Sequence, residues 1–476
     1  MISIINHIIP ELLGSVIALC MLLLGAFSND KATKLINIIF TVTCGVLLYH
    51  CYASIPFTFY AFDGFFVADS FTQSCKVILL IGTILVLLLA YNEKGDTARF
   101  ELSILMIFSV IGMMLMLSAS NFLSFYMGLE LQSLSLYALA AFSSKDSKSS
   151  EAGIKYFVLG AVASGMILYG ISLIYGYTSN FDFVQLQKFF THLTDAETSI
   201  ALLFGIIMVI SGMFFKVTAA PFHMWAPDVY QGAPTIVTAF FAIVPKAASI
   251  LFLAKLLLQL FSAWYFDLRQ IILFASGLSM IIGAVGAINQ QNIKRLIGYS
   301  GINHVGFMLM ALASGAVYGG SAVIIYIFLY MFMNAGIFAV MLMIKNGENL
   351  NNLKGLAAKD PLLAFIMACM MLSMAGIPPL AGFFAKFYVL NAAINARLYI
   401  IAIIAIISSV IATYYYLKII KHMYFDKQEA EIILIKSPSC KVVGLIALLV
   451  NVLFIIFADQ LIEFSTNAVA VFLVAK

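Results

Sequence analysis

Five ionisable residues of this 476-residue chain stand inside long apolar stretches: Glu130, Lys155, Lys216, Lys246 and Lys386. A Lys or Asp at the centre of a membrane-spanning helix costs about 2.5 to 3.5 kcal/mol on insertion scales, so such residues face a bundle interior or a hydrated path. Their chemistry would be proton handling. A buried neutral amine accepts a proton, and a nearby carboxylate alternately holds and releases the resulting cation. Lys216 stands at a helix break, and Lys246 follows Pro245 about a dozen residues into its segment. Glu130 lies near mid-depth, about eight residues after Phe122 at roughly 1.5 Å per residue. Lys386 has no acidic residue in its own half and must find water, a carbonyl or another subunit. Lys155, near the start of its helix, is divided between snorkelling to the headgroups and linking the path to Glu130.

His304, among the glycines of Gly301-Ile302-Asn303-His304-Val305-Gly306, could relay protons because imidazole both gives and accepts one near neutral pH. The alternative is a hydrogen-bonded structural histidine. His223, just after the first break, could admit protons or be a polar residue at a loop edge. Asp228 reads as a turn or cap residue. Lys76 reads as snorkelling, and the 41 Phe and 22 Tyr as lipid-facing and core packing.

What positions these groups must be a bundle of apolar helices. The chain is 63% hydrophobic and only 10% charged, against about 25% charged in soluble domains. At about 20 residues per span, the expected fold is an all-α polytopic membrane protein of about 14 transmembrane helices. The spans are Ile8 to Phe27, Thr33 to Ala53, Phe71 to Tyr91, Leu102 to Leu117, Phe122 to Phe142, Ile154 to Tyr177 and Ala201 to Phe215. They continue with Thr235 to Leu258, Ile271 to Ile288, Ile293 to Ala313, Ser321 to Ile344, Pro361 to Asn395, Leu398 to Lys418 and Val442 to Phe464. The first segment lacks a basic start and a cleavage site, so it is expected to stay in place.

Loop charge supports this arrangement: sixteen Lys and Arg follow odd-numbered helices and five lie on the opposite side. The positive-inside rule then puts both termini outside. The six cysteines form no C-x-x-C pair, and neither a dinucleotide fingerprint, a P-loop nor a basic nucleic-acid patch is present. The expectation is no cofactor, metal or nucleic acid bound by this chain.

Helices 7 and 12 are broken. Pro221 removes a backbone donor and clashes with the carbonyl of Val217, and Gly376-Ile377-Pro378-Pro379-Leu380-Ala381-Gly382 interrupts the later span. Paired interruptions point to transporter-type inverted repeats. The division is three N-terminal helices in 1–100, a first five-helix unit in 101–262, a second in 270–424, and a loop with a final helix in 425–476. The broken helix is fourth in each unit. An odd helix number per unit forces opposite orientations in the membrane.

The run Phe215-Lys216 through Ala220-Pro221-Phe222-His223-Met224-Trp225-Ala226-Pro227-Asp228-Val229-Tyr230-Gln231-Gly232, then Pro245-Lys246, resembles the subunit N family of the proton-pumping NADH:quinone oxidoreductase, respiratory complex I. Tyr126 to Gln132, Ala152 to Gly160, Asn292 to Gly306 and Gly376 to Lys386 fit the same pattern. The resemblance implies an antiporter-like translocase subunit of the bacterial cell inner membrane, with both termini periplasmic. Glu130, Lys216, Lys246 and Lys386 would match the proton path, and Lys155 and His304 would match it more loosely. It also implies that NADH, FMN, iron-sulfur clusters and quinone belong to partner subunits, both membrane and peripheral, leaving this chain without a redox centre. The rival reading is a cation/proton antiporter subunit without redox coupling. A single deep carboxylate weighs against a dedicated sodium site.

Overall fold

The computed structural model describes residues 2–28, 32–93, 95–192, 200–427 and 432–474. Lys31, Lys94 and Lys476, counted above in the loop charge, lie outside the described residues. Eleven of the described helices are long and apolar enough to cross a membrane. The chain is a polytopic membrane protein of almost wholly helical structure.

Four helices open the chain: α1 (Ile2–Ser28), α2 (Thr33–Ala53), α3 (Ser70–Ala90) and α4 (Phe100–Ser118). Between α2 and α3 the all-helical expectation gives way to a small antiparallel hairpin of β1 (Phe59–Ala61) and β2 (Phe66–Ala68). Its turn takes positive φ at Phe62, Asp63 and Gly64, a geometry that no helix continues through. The Asp69 side chain then starts α3 with a reciprocal capping box to Thr72.

The next helices are α5 (Phe122–Ala140), α6 (Ser147–Thr178), α7 (Phe183–His192), α8 (Ile200–Val217), α9 (Trp225–Gly232) and α10 (Thr235–Lys255). The short α7 was not expected from the sequence. Only Phe183, Leu186 and Phe190 of it are buried, a single apolar stripe on a helix too short to span. By contrast, the apolar window of α10 is wholly buried, which makes it the axis of the bundle.

Then follow α11 (Tyr265–Ala287), α12 (Ile293–Leu312), α13 (Ser321–Leu342), α14 (Leu356–Lys359), α15 (Pro361–Ala375), α16 (Ala381–Asn395), α17 (Tyr399–Tyr424), α18 (Pro438–Val469) and α19 (Val471–Val474). Two long helices, α5 and α12, are missing from the eleven apolar spans. Their polar content explains it: α5 carries Glu130, Gln132 and three serines, and α12 carries Lys294, Arg295, Asn303 and His304. Two of the helices that look least like membrane spans thus carry Glu130 and His304.

Close helix approaches rest on glycine. A Cβ on Gly112 of α4 would lie 2.5 Å from the backbone nitrogen of Gln132 in α5, and one on Gly283 of α11 would lie 2.4 Å from that of Asn303 in α12. Small residues let membrane helices pack backbone to backbone where lipid offers no hydrophobic driving force. The α4–α5 and α11–α12 pairs therefore share one packing device.

Candidate functional site

Both interruptions lie where the sequence placed them. The first separates α8 from α9, with Thr218 at φ 66 and a cis Ala220–Pro221 bond. Its freed backbone groups are satisfied inside the protein, as membrane depth demands. Trp225 Nε1 donates to the Phe215 carbonyl at 3.1 Å, and the Ala220 N–H donates to Ser279 Oγ at 2.8 Å. The second separates α15 from α16 at Gly376, whose φ of 86 ends α15 in a left-handed cap. The Gly382 N–H donates to Ser373 Oγ at 2.9 Å.

Lys216 lies in the last turn of α8, buried, with Nζ donating to Ser133 Oγ at 2.8 Å and reaching Tyr137 Oη and Ser164 Oγ at 3.5 Å each. Ser133 is three residues past Glu130, so the two share one face of α5. Glu130 makes no ion pair among the described residues, and its Oε1 is shielded without a hydrogen-bond partner. Lys216 is thus held by Ser133 and not locked to the carboxylate. Gly160 makes room for Tyr137, since a Cβ there would fall 2.1 Å from the phenol oxygen.

Lys246, on α10, is 3% exposed, and its Nζ has no hydrogen-bond partner. It sits over two rings, 5.6 Å from the centroid of Tyr230 and 5.7 Å from that of Tyr330. The amine occupies the hollow left by Gly301, where a Cβ would lie 2.5 Å from Nζ and 3.1 Å from Tyr330 Oη. Between Lys216 and Lys246 stand aromatic rings: Tyr137 packs on Tyr156, Tyr156 stacks on Trp225 at 4.3 Å, and Trp225 meets Tyr230.

His304 is held on both ring nitrogens. Nδ1 is 2.6 Å from Tyr326 Oη and Nε2 is 3.1 Å from Tyr416 Oη, while Tyr416 also bonds Ser300 Oγ at 2.5 Å. A neutral imidazole so placed donates to one phenol and accepts from the other. Its ring centroid is 5.1 Å from that of Tyr330, the ring under Lys246. Phe307, one turn later, lies 5.3 Å below Lys386 Nζ. Lys386 Nζ in turn donates to the Ala375 carbonyl at 3.0 Å and to Ser409 Oγ at 2.8 Å. That carbonyl is among the last of α15, where the helix dipole favours a cation. The expected carbonyl partner of Lys386 is there.

The remaining sequence-selected residues fall elsewhere. Lys155 pairs with Glu151 at 2.6 Å and Asp228 at 2.9 Å, its side chain 41% exposed, so it is tied to Asp228 and not to Glu130. Asp228 also binds Arg295 Nη1 at 2.6 Å. It is therefore an ion-pair hub and not a turn or cap residue, joining α6 and α12 through the short α9. Burial raises its carboxyl, but the hydrogen bonds and charges of Lys155 and Arg295 outweigh that and hold it below the ordinary carboxylate range. These residues line a polar cavity of about 240 Å³ with Lys148 and Gln231. His223 is buried inside the first break, with Nδ1 lacking a partner.

Three lysines read as surface or loop charges are buried instead. Lys76 does not snorkel: it is fully buried and pairs with Glu11 at 2.5 Å, 4.9 Å above the Phe66 ring. Lys255 donates to the carbonyls of Leu117 and Ala119 at 3.0 and 2.8 Å, closing the end of α4. Lys294 bonds the Ala233 carbonyl at 2.9 Å and Glu348 at 2.6 Å. Each found a partner on a segment distant in sequence. The phenols bonded to His304 are also polar partners that a packing reading of tyrosine missed. The Ser300–His304 and Tyr326–Tyr330 spacings, each one helical turn inside an apolar run, carried that signal.

The transmembrane family model described as NADH:quinone oxidoreductase/Mrp antiporter matches residues 119–412. A protein of Rhodospirillum rubrum, NADH-quinone oxidoreductase subunit N, is 43% identical over 448 residues, 92% of this chain and 92% of its own. Another of that name from Beijerinckia indica is 40% identical over 98% of both chains. Among solved structures, a chain of respiratory complex I from Thermus thermophilus with bound aureothin superposes with a TM-score of 0.79 at 28% identity, covering 95% of this chain and 99% of that one. A chain of the Mrp complex from Dietzia reaches 0.86 at 21% identity over 98% and 97%, a likeness of fold alone.

Proposed function

Given that the chain belongs to the NADH-quinone oxidoreductase subunit N family, we propose that it is the proton-translocating membrane subunit of such a complex. Electron transfer from NADH to quinone takes place in partner subunits, which carry FMN and the iron-sulfur clusters. This chain contributes no redox centre. It lies in the bacterial inner membrane with fourteen spans and periplasmic termini. Two inverted five-helix units occupy 101–262 and 270–424, each built around one of the two broken helices.

The observation that carries this reading is that Lys216, Lys246 and Lys386 are buried amines held only by neutral partners. Protonation of Lys246 repels the charge on Lys216, and Glu130, acting across Ser133, stabilises and then releases that cation. His304 with Tyr326 and Tyr416 fills the interval between Lys246 and Lys386, from which protons leave. His223, inside the first break, is placed to take up protons near Lys216. Lys155 has a different role, fixing α9 through Asp228.

Replacing Glu130 by Gln in the assembled complex, reconstituted in proteoliposomes, is expected to abolish this subunit's share of pumping. An unchanged proton-to-electron stoichiometry overturns the relay. A cation/proton antiporter subunit without redox coupling would purify free of flavin and iron-sulfur subunits, whereas the redox-coupled subunit brings them along.

A further inference from the structure

A groove of about 640 Å³ runs between α11 and α17, lined by Leu273, Phe274, Gly277, Ile281, Ile401 and Ile404 and closed at one end by Arg397. It opens on the surface of the chain: Phe274 is 66% exposed and Ile281 50%. From Leu273 to Ile281 it covers about 12 Å of helix, most of one leaflet of a hydrocarbon core of roughly 30 Å. Its depth comes from a missing side chain. A Cβ on Gly277 would lie 3.2 Å from Ile401 Cδ1, so any larger residue there fills the floor.

The mouth is built as well. Arg397 is exposed and takes a φ of 60, a left-handed conformation that costs an L-residue about 1 to 2 kcal/mol and that glycine would adopt freely. The turn before it is braced by Arg269, whose Nη2 donates to the Ala396 carbonyl at 3.1 Å. Among the described residues Arg397 has no ion-pair partner. Tyr399 stands beside it, 57% exposed, at the depth where aromatic residues meet the headgroups. An arginine held in an unfavourable backbone position, unpaired, at the polar end of an apolar slot complements an amphiphile with an anionic head.

We propose that this groove is a phospholipid site: the phosphate binds Arg397 and one acyl chain lies along Gly277 between α11 and α17. The site is independent of the proton relay. It places a lipid against α11, which packs on the α12 helix of His304, and against α17, which carries Ser409.

The test is photocrosslinking in native membranes containing the assembled complex, using phosphatidylglycerol with a diazirine in its acyl chain, followed by peptide mapping. Adducts are expected on Leu273 to Ile281 and on Tyr399 to Ile404. Arg397→Gln and Gly277→Leu should each reduce them at least fivefold, with the amount of assembled complex as control. Should Gly277→Leu fail to assemble, Arg397→Gln alone decides, since its exposed side chain has no ion-pair partner among the described residues. Equal labelling of all lipid-facing helices, or yields indifferent to Arg397, overturns the site. So does an absence of lipid adducts with crosslinks to a neighbouring subunit, which would mean that protein covers the groove.

Discussion

Replacing Gly301 by Ala should separate stability from proton transfer. A Cβ at this position falls 2.5 Å from Lys246 Nζ, and ordinary contact begins at 3.4 Å, so the amine must retreat by about 0.9 Å. It can do so because the obstructing atom is the end of a flexible side chain. In a helix interior, alanine for glycine gains roughly 0.5 to 1 kcal/mol, so α12 should be no less stable and the complex should assemble. Function should suffer. A misplacement of about 1 Å between reacting groups can cost on the order of 100-fold, and the amine would leave its seat between the Tyr230 and Tyr330 rings. We expect NADH-driven acidification per electron transferred, followed in proteoliposomes by a pH-sensitive dye, to lose about nine-tenths of the share that Glu130→Gln abolishes. Gly306→Ala is the contrasting control. There a Cβ lies 2.8 Å from the backbone nitrogen of Met280, which cannot swing aside, so helix packing and thermal stability should drop. Retention by Gly301→Ala of more than half of the share that Glu130→Gln abolishes would refute the assignment of Lys246 to the path.

Breaking the buried Glu11–Lys76 pair by Lys76→Met or Glu11→Leu alone should lower stability by about 3 to 5 kcal/mol, whereas the double replacement should recover most of it; a thermal-inactivation cycle with additive losses would show that the two residues do not depend on each other. Asp228→Asn removes two half-exposed ion pairs worth under about 1 kcal/mol each. Because the folded carboxyl is held below its ordinary range, the wild-type advantage should be full at neutral pH and vanish as pH falls through the folded value. A difference in melting temperature that grows on acidification would contradict that ion-pair role.

Hydropathy and breaker residues made the membrane class and both helix breaks legible in the sequence, because proline and the cost of unpaired backbone act locally. The partners of buried charges were not legible. Lys76 and Glu11, or Lys255 and the end of α4, meet only through tertiary packing, and a count of loop charges cannot see a side chain turning inward. The same limit hid the phenols around His304, since a tyrosine in an apolar run looks identical whether its hydroxyl faces lipid headgroups or an imidazole. Asp228 was misread for another reason: a carboxylate beside a proline suits a turn, and only the positions of Lys155 and Arg295 reveal the hub.

The buried lysines fall into two kinds by their partners, and the proposed relay uses only one of them. Lys76 and Lys294 each face a carboxylate within 2.6 Å. Amine and carboxylate hold each other in place there, so those lysines serve packing. Lys216, Lys246 and Lys386 face hydroxyls, rings and one helix-end carbonyl. Lys255 shows that this criterion alone is insufficient: it too lacks a carboxylate, yet it is the final residue of α10 and closes the last carbonyls of α4. Depth is the second requirement. Lys246 lies midway along α10, while Lys216 and Lys386 flank the two breaks, where backbone interruption gives water a polar lining. Neutral partners and a place midway along a helix or beside a break set these three lysines apart from the other buried ones, and in the proposed relay Glu130, unpaired on the same helix face as Ser133, would be the carboxylate that biases the first of them without locking it.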